Sequence, residues 1–75
     1  MKQELIDELD ELAGAYGVEL LMPPFNGSLN PFFYIGEIKK DPEIYFSFFK
    51  DLDTIDMDFR FVEIEGKKDY MEIMQ

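Results

Sequence analysis

The sequence predicts a small α+β domain in which two helices pack against one face of an antiparallel sheet of about four strands. Apolar residues recur at helical spacing in residues 2–16 and 43–52, and they alternate with charged residues in residues 56–65. Clusters of Gly, Pro and Asn separate these segments from shorter apolar runs. The predicted order is helix, strand, strand, helix, strand, strand.

The composition indicates one soluble domain that spans residues 1–75. Apolar residues form 47% of the chain and aromatic residues 16%, which is enough for a packed core despite the charge. No apolar run reaches the ~18 residues of a membrane span, and the first residues lack the apolar stretch of a secretion signal. There is no cysteine, hence no disulfide. We therefore expect a cytoplasmic protein that does not contact a membrane.

The first predicted helix covers residues 2–16 and separates apolar from acidic residues. One side carries Leu5, Leu9, Leu12, Ala13 and Tyr16. The other side carries Glu4, Asp7, Glu8, Asp10 and Glu11. Gly17 is placed to end the helix in the left-handed conformation. Only Lys2 offsets the acidic side, so the helix lacks the alternating charges that usually support an exposed helix.

Two strands are predicted next, at residues 18–22 and 32–38, paired antiparallel to each other. Consecutive prolines end the first strand, and the loop that follows contains a turn at Asn26-Gly27. Gly36 falls inside the second strand, where an isolated glycine indicates a bulge.

Residues 43–52 admit two interpretations. Asp41 as a capping residue and Pro42 at the first helical position predict a helix start, and the apolar spacing agrees with a helix. The abundance of Ile, Tyr and Phe favours a strand instead. We predict the helix, which leaves Phe46 near the edge of its buried face.

The last two predicted strands lie at residues 56–65 and 70–74, joined by a turn around Gly66. In the first of them the apolar parity reverses, because Phe59 and Phe61 are followed by Val62 and Ile64. One inserted residue has this effect on a period of two, so we expect a bulge near Phe61-Val62.

The residue types argue against an enzyme. The chain has no histidine, no cysteine, no glycine-rich phosphate loop and no pairing of a nucleophile with a base. A calcium-binding EF-hand loop does not fit either, since a frame that starts at Asp51 places Ile55 at the fifth position and Val62 at the twelfth. We expect no catalytic residue, no cofactor and no metal site.

Charge is the outlying property of the chain. Asp and Glu number 17 against 7 Lys and Arg, which gives a formal net charge of -10. A solvated strand face explains why acidic residues alternate with apolar ones in residues 56–65, but it does not explain why one sign dominates. Like charges destabilise a small fold, so we interpret the acidity as selected for a basic partner. Solubility alone is the competing explanation.

The leading functional hypothesis is a nucleic-acid mimic, a non-enzymatic inhibitor that occludes the basic nucleic-acid-binding surface of a host protein. Carboxylates along a helix and a strand have spacings comparable to those of phosphates, and the same charge repels nucleic acid itself. The predicted partner-binding residues are Glu4, Asp7, Glu8, Glu11, Asp56 and Asp58. In size, acidity and lack of catalytic groups the chain resembles phage-encoded inhibitors such as anti-CRISPR, antirestriction and DNA-repair-inhibitor proteins. This likeness covers composition only, and it assigns no residue a role.

Two apolar residues of the loop, Phe25 and Leu29, complete the predicted partner-binding set. Either they fold back to cap the core, or they insert into a partner as interface anchors. The rival function is a small regulatory subunit, or an antitoxin-like or immunity-type adaptor, that binds a protein through apolar contacts. The basic pairs Lys39-Lys40 and Lys67-Lys68 lie in predicted turns, and the molecule is electrically polar if both turns share one end.

Overall fold

The computed structural model describes residues 2–74. Its elements are α1 (Gln3–Tyr16), β1 (Glu19–Leu21), β2 (Phe32–Tyr34), a 3₁₀ helix (Ile38–Lys40), α2 (Pro42–Leu52), β3 (Asp58–Ile64) and β4 (Lys67–Met74). The four strands form one antiparallel sheet in the order β1-β2-β4-β3. The predicted α+β class is confirmed.

Both helices pack on the same face of this sheet. Their buried residues Leu9 and Phe48 belong to one core with Phe33, Met71 and Ile73 of the two central strands. The ring centroid of Phe48 lies 5.4 Å from that of Phe33, edge to face. The apolar residues at helical spacing in the sequence therefore mark the helix faces that pack against the sheet.

The two helix ends that the sequence marks most clearly form as predicted. Gly17 adopts φ 67° and its backbone N–H donates to Ala13 O, which closes α1. The Asp41 side chain accepts from the N–H groups of Glu43 and Ile44 at 3.0 and 3.3 Å. Because this cap satisfies donors that a helix start leaves free, residues 42–52 are helical, and the competing strand interpretation is wrong.

The predicted strand at residues 32–38 is too long. β2 ends at Tyr34, after which the chain turns into the 3₁₀ helix. Gly36 marks a close approach rather than a bulge, since a Cβ built there would overlap the hydroxyl end of the Tyr34 side chain. A side chain at position 36 would therefore require the Tyr34 ring to move.

The β3–β4 hairpin differs from the prediction in two details. Its turn contracts to Glu65 and Gly66, which both have positive φ, so that β4 begins at Lys67 rather than at residue 70. The irregularity of register falls between Val62 and Ile64, one residue later than expected. Phe61 stays on the helix side, against Phe49, so the alternation continues through Val62 before it breaks.

The loop between β1 and β2 covers the second face of the sheet. The ring centroid of Phe25 lies 4.9 Å from that of Phe32 and 5.5 Å from that of Tyr70. The predicted turn at Asn26-Gly27 is present, with positive φ at both residues and paired backbone hydrogen bonds between Phe25 and Ser28. The domain thus has three layers: helices, sheet and loop.

A buried carboxylate, Glu72 of β4, fastens the loop and β3 to the middle of the sheet. Its side chain is nearly inaccessible. Oε2 accepts from Ser28 Oγ and from Asn30 Nδ2 at 2.5 and 3.0 Å, and Oε1 accepts from Arg60 Nε and Nη2 at 2.8 and 2.7 Å. The hydrogen bonds of Ser28 and Asn30, with Arg60, hold the pKa of Glu72 below its ordinary value of 4.5, although burial opposes them.

We predict that Glu72→Gln lowers the free energy of unfolding at pH 7 by about 1–3 kcal/mol, because the charged hydrogen bonds are lost while the shape is kept. The lowered pKa means that the native state binds a proton less readily than the unfolded chain does. The stabilisation is therefore complete above pH 4.5 and is lost as pH falls through the folded-state pKa. Urea unfolding at several pH values should show the difference between wild type and variant shrinking in acid.

Glu63→Gln is the matched control, because Glu63 is exposed on β3 and has no ion-pair partner among residues 2–74. It should change the unfolding free energy by less than about 0.5 kcal/mol at any pH. Equal effects of the two variants would show that the Glu72 contacts do not stabilise the fold.

Candidate functional site

The acidic residues of α1 occupy one flank of the helix. The four predicted partner-binding residues of α1 are all exposed. At about 100° per residue they fall within an arc of about 100°. This arc adjoins the side of α1 that faces residues 51–58.

A groove between α1 and the end of α2 brings acidic residues of both helices together. Glu8 and Glu11 line it from α1, and Asp51 lines it from α2. Its volume is about 290 Å³, and its apolar wall includes Leu12 and Ile55. Carboxylates from distant parts of the sequence thus border one apolar-floored groove.

A second groove joins the start of α1 to the start of β3. Asp56, Asp58 and Met57 line it together with Lys2 and Leu5, and its volume is about 420 Å³. The two predicted aspartates therefore lie beside the same helix as the four predicted acidic residues of α1. We call the exposed carboxylates of the α1 arc and of the two grooves the acidic flank: Glu4, Asp7, Glu8, Glu11, Asp51, Asp56 and Asp58. Glu4 and Asp7 belong to the arc and line neither groove.

No carboxylate of the acidic flank takes part in an ion pair within the described part of the chain. The three ion pairs found there are Lys39–Asp69, Lys40–Glu37 and Arg60–Glu72. Lys2 lines the second groove without forming one. Three of the seven cations are thus paired with carboxylates outside the acidic flank, and no ion pair within the described residues neutralises a carboxylate of the flank.

Asp51 is the one member of the acidic flank that sequence reasoning did not select for partner binding. The hydroxyl of Tyr16 donates a hydrogen bond to Asp51 Oδ2 and ties the end of α1 to α2. This hydrogen bond raises the pKa of Tyr16, assisted by partial burial and by the nearby negative charge. The contact joins residues 35 positions apart, so no local pattern reveals it.

The two lysine pairs that the sequence predicts in turns lie at one end of the molecule, in the 3₁₀ helix and at the start of β4. Lys39 Nζ donates to Lys68 O at 3.1 Å and contacts Asp69 Oδ1 at 3.2 Å. Four of the seven basic residues lie at this end, Lys39 and Lys40 in the 3₁₀ helix and Lys67 and Lys68 at the start of β4. The length of β3, roughly 20 Å, separates Lys67 and Lys68 from Asp58. Asp69 and Glu37 pair with Lys39 and Lys40, so part of the positive charge at this end is neutralised.

The two loop residues of the predicted set lie apart from the acidic flank. Phe25 packs on Phe32 and Tyr70, on the sheet face opposite the helices, and is half-buried. Leu29 extends from the same loop with 81% of its surface exposed. Phe25 therefore folds back onto the sheet, whereas Leu29 does not.

Exposed aromatic side chains gather where α2 meets β3. Phe46 is 71% exposed and Phe61 is 48% exposed. Phe49 connects them, since it follows Phe46 by one turn of α2 and its ring centroid lies 5.9 Å from that of Phe61. We call Phe46, Phe49 and Phe61 the aromatic edge. The alternating pattern placed Phe61 on the helix side of the sheet, but it does not reveal that the core ends before Phe61.

Within residues 2–74, no three His, Cys, Asp or Glu side chains are grouped so that they could hold a metal ion. None of the helices in that range is long and apolar enough to cross a membrane. Comparison with protein-family models gives no match, and comparisons with curated proteins and with solved structures give no significant match. The function is therefore inferred from the surface of the chain itself.

We predict that calcium at about 10 µM leaves the melting temperature unchanged relative to the same concentration of magnesium. Carboxylates that follow a surface do not offer the six or more converging oxygen atoms that calcium requires. Thermal unfolding followed by circular dichroism checks this. A large rise with calcium alone would identify a site that involves Asp51, Asp53, Asp56 or Asp58.

We also predict that a flank variant, with Glu4→Gln, Asp7→Asn, Glu8→Gln and Glu11→Gln, unfolds at the same temperature as wild type or at a higher one in low salt. Glu and Gln have similar helix propensities, and relief of repulsion offsets the lost interaction with the helix dipole. Melting curves at about 10 mM and about 1 M salt test this, because the Debye length falls from about 30 Å to about 3 Å. Marked destabilisation at low salt would mean that these carboxylates stabilise the fold.

Proposed function

We propose that the protein is a cytoplasmic, non-enzymatic inhibitor whose acidic flank occludes the basic nucleic-acid-binding surface of a partner protein. One observation carries this proposal: Glu8, Glu11 and Asp51 border one groove beside α1, Asp56 and Asp58 border a second, and no carboxylate of the acidic flank has an ion-pair partner within residues 2–74. Uncompensated like charge costs stability in so small a domain. Binding to a basic surface would recover that cost.

The spacing of the charges supports a nucleic-acid mimic. Side chains three or four residues apart on α1 lie about 5–6 Å from one another. Phosphates of one DNA strand rise by about 3.4 Å per nucleotide, so a groove that tracks phosphates meets carboxylates at comparable intervals. The same charge repels nucleic acid, so the partner is a protein.

The groove between α1 and α2 is suited to the side chains that such a partner presents. Leu12, Ala15 and Ile55 provide an apolar wall for the aliphatic stem of an arginine or lysine. Glu8, Glu11 and Asp51 border the same groove and would pair with the charged group. No catalytic residue and no cofactor enters this mechanism, which consists of steric and electrostatic occlusion.

This mode of action is the one expected of a small phage-encoded inhibitor of the anti-CRISPR, antirestriction or DNA-repair-inhibitor kind, which the chain resembles in composition. A second candidate is a regulatory subunit, or an antitoxin-like or immunity-type adaptor, that binds through apolar contacts. The exposure of Leu29, Phe46 and Phe61 favours it. Salt separates the two, because apolar contacts are not screened.

We predict that the immobilised protein captures a basic, nucleic-acid-binding protein from a bacterial lysate at about 50 mM salt and releases it at about 1 M. The flank variant should bind that protein about 10–100-fold more weakly, mainly through slower association, and with a flatter salt dependence. Surface plasmon resonance measures both rates, and a nucleic-acid competition assay measures inhibition.

The matched control removes four charges outside the acidic flank and leaves the same net charge as the flank variant. Its substitutions are Glu19→Gln, Glu37→Gln, Glu43→Gln and Glu65→Gln. It should keep association within about threefold of wild type. Capture that does not depend on salt, or full inhibition by the flank variant, would contradict the mimic and favour the apolar adaptor.

A further inference from the structure

We propose that β3 receives an extended segment of the partner, with alternating basic and apolar residues, as a fifth strand of the sheet. This inference rests on the proposed function, because it takes the partner to be basic. β3 is an outer strand in the order β1-β2-β4-β3, so the backbone groups on its outer side have no partner strand. Strand addition of this kind obtains affinity from the backbone and specificity from alternate side chains.

The two outer strands of the sheet differ in how they are protected. β1 has three residues and is followed closely by Pro23 and Pro24, which cannot donate to a neighbouring strand. β3 has seven residues and contains neither proline nor lysine. Its single irregularity lies near the end, between Val62 and Ile64, which leaves residues 58–62 regular. Only β3 is therefore long enough to template another strand.

On the helix side, the aromatic edge supplies the apolar contacts. Phe61 is half-exposed on β3, and Phe46 projects from α2 with 71% of its surface exposed. Phe49 follows Phe46 by one turn of α2, and its ring centroid lies 5.9 Å from that of Phe61. An added strand would place every second side chain against these rings.

The charges of β3 indicate which residues should alternate with the apolar residues of the incoming segment. Arg60 is the one cation of the strand, and Glu72 neutralises it through Nε and Nη2. Asp58 and Glu63 are exposed and have no ion-pair partner within residues 2–74. The net charge along the edge is negative, so lysine or arginine is the complementary residue.

Charge also selects a partner segment over a second copy of this chain. Two copies would each bring a formal net charge of -10 to the contact. Asp58 belongs both to β3 and to the acidic flank, so a basic segment paired with β3 continues onto the surface that the proposed function uses. The edge and the acidic flank would then bind one basic partner together.

A synthetic peptide with alternating lysine and valine, seven residues long and capped at both ends, is the probe. We expect it to shift the backbone amide resonances of β3 in heteronuclear NMR spectra. It should also slow hydrogen exchange of the outward-facing β3 amides by about tenfold or more, because they gain acceptors. A peptide with the same residues but grouped lysines should bind more weakly, and one with glutamate in place of lysine should not bind.

Two variants test whether the aromatic edge itself, rather than any exposed apolar side chain of α2, contributes to peptide binding. Phe46→Ser combined with Phe61→Ser should weaken peptide binding by about tenfold. Ile44→Ser is the matched control, since Ile44 is 41% exposed on α2 but lies about 160° around the helix from Phe46. It should change binding less than about twofold. Both variants replace exposed side chains, and their unchanged amide spectra would show that they fold.

Three results would overturn the inference. Shifts confined to α1 and residues 51–57, with β3 exchange unchanged, would remove strand addition and leave the electrostatic function in place. Equal binding of the alternating and grouped peptides would show that charge alone attracts them. Concentration-dependent shifts of β3 without peptide would identify a second copy as the occupant. Failure of the proposed function has a different signature, which is full inhibition by the flank variant.

Discussion

The buried carboxylate of Glu72 is the contact on which the arrangement of this domain depends. It lies on the central strand β4 and accepts hydrogen bonds from Ser28 and Asn30 of the loop and from Arg60 of the outer strand. A carboxylate removed from water without such donors would destabilise a domain of this size severely. The loop between β1 and β2, the outer strand β3 and the central strand β4 must therefore be in place together. These hydrogen bonds fix the position of the loop, which its few apolar contacts would not define.

The same contact shapes the charge of the surface. Arg60 is committed to Glu72, and Lys39 and Lys40 are committed to Asp69 and Glu37. The acidic flank thus combines many carboxylates with the absence of any ion pair to them within residues 2–74, where three of the seven cations pair with other carboxylates. A chain of equal composition with its lysines on α1 would present a mixed surface, without the directional field that speeds association with a basic protein.

The features of the fold that the sequence predicted correctly depend on residues close together in the chain. Gly17 and Asp41 each act within one turn of a helix, and the acidic side of α1 follows from helical spacing alone. The structure differs from the sequence-based prediction where side-chain packing in the folded chain matters. The ring of Tyr34 lies against Gly36, and Phe61 packs beside Phe49 before the irregularity of β3. Four of the seven residues of the acidic flank are visible in the sequence as a helix face, whereas the junction of α1 with Asp51 exists only once α1 and α2 have packed.

The position of β4 has a consequence for synthesis of the chain. β4 follows the other strands in sequence but lies between β2 and β3, so that Phe33 pairs with Met71 across half of the polypeptide. While the ribosome is still adding residues 67–74, β3 has no neighbouring strand and β2 can pair only with β1. The sheet closes only after β4 has left the exit tunnel. Completion of the sheet thus depends on non-local pairing, which is intrinsically slower than the assembly of a helical bundle of the same size.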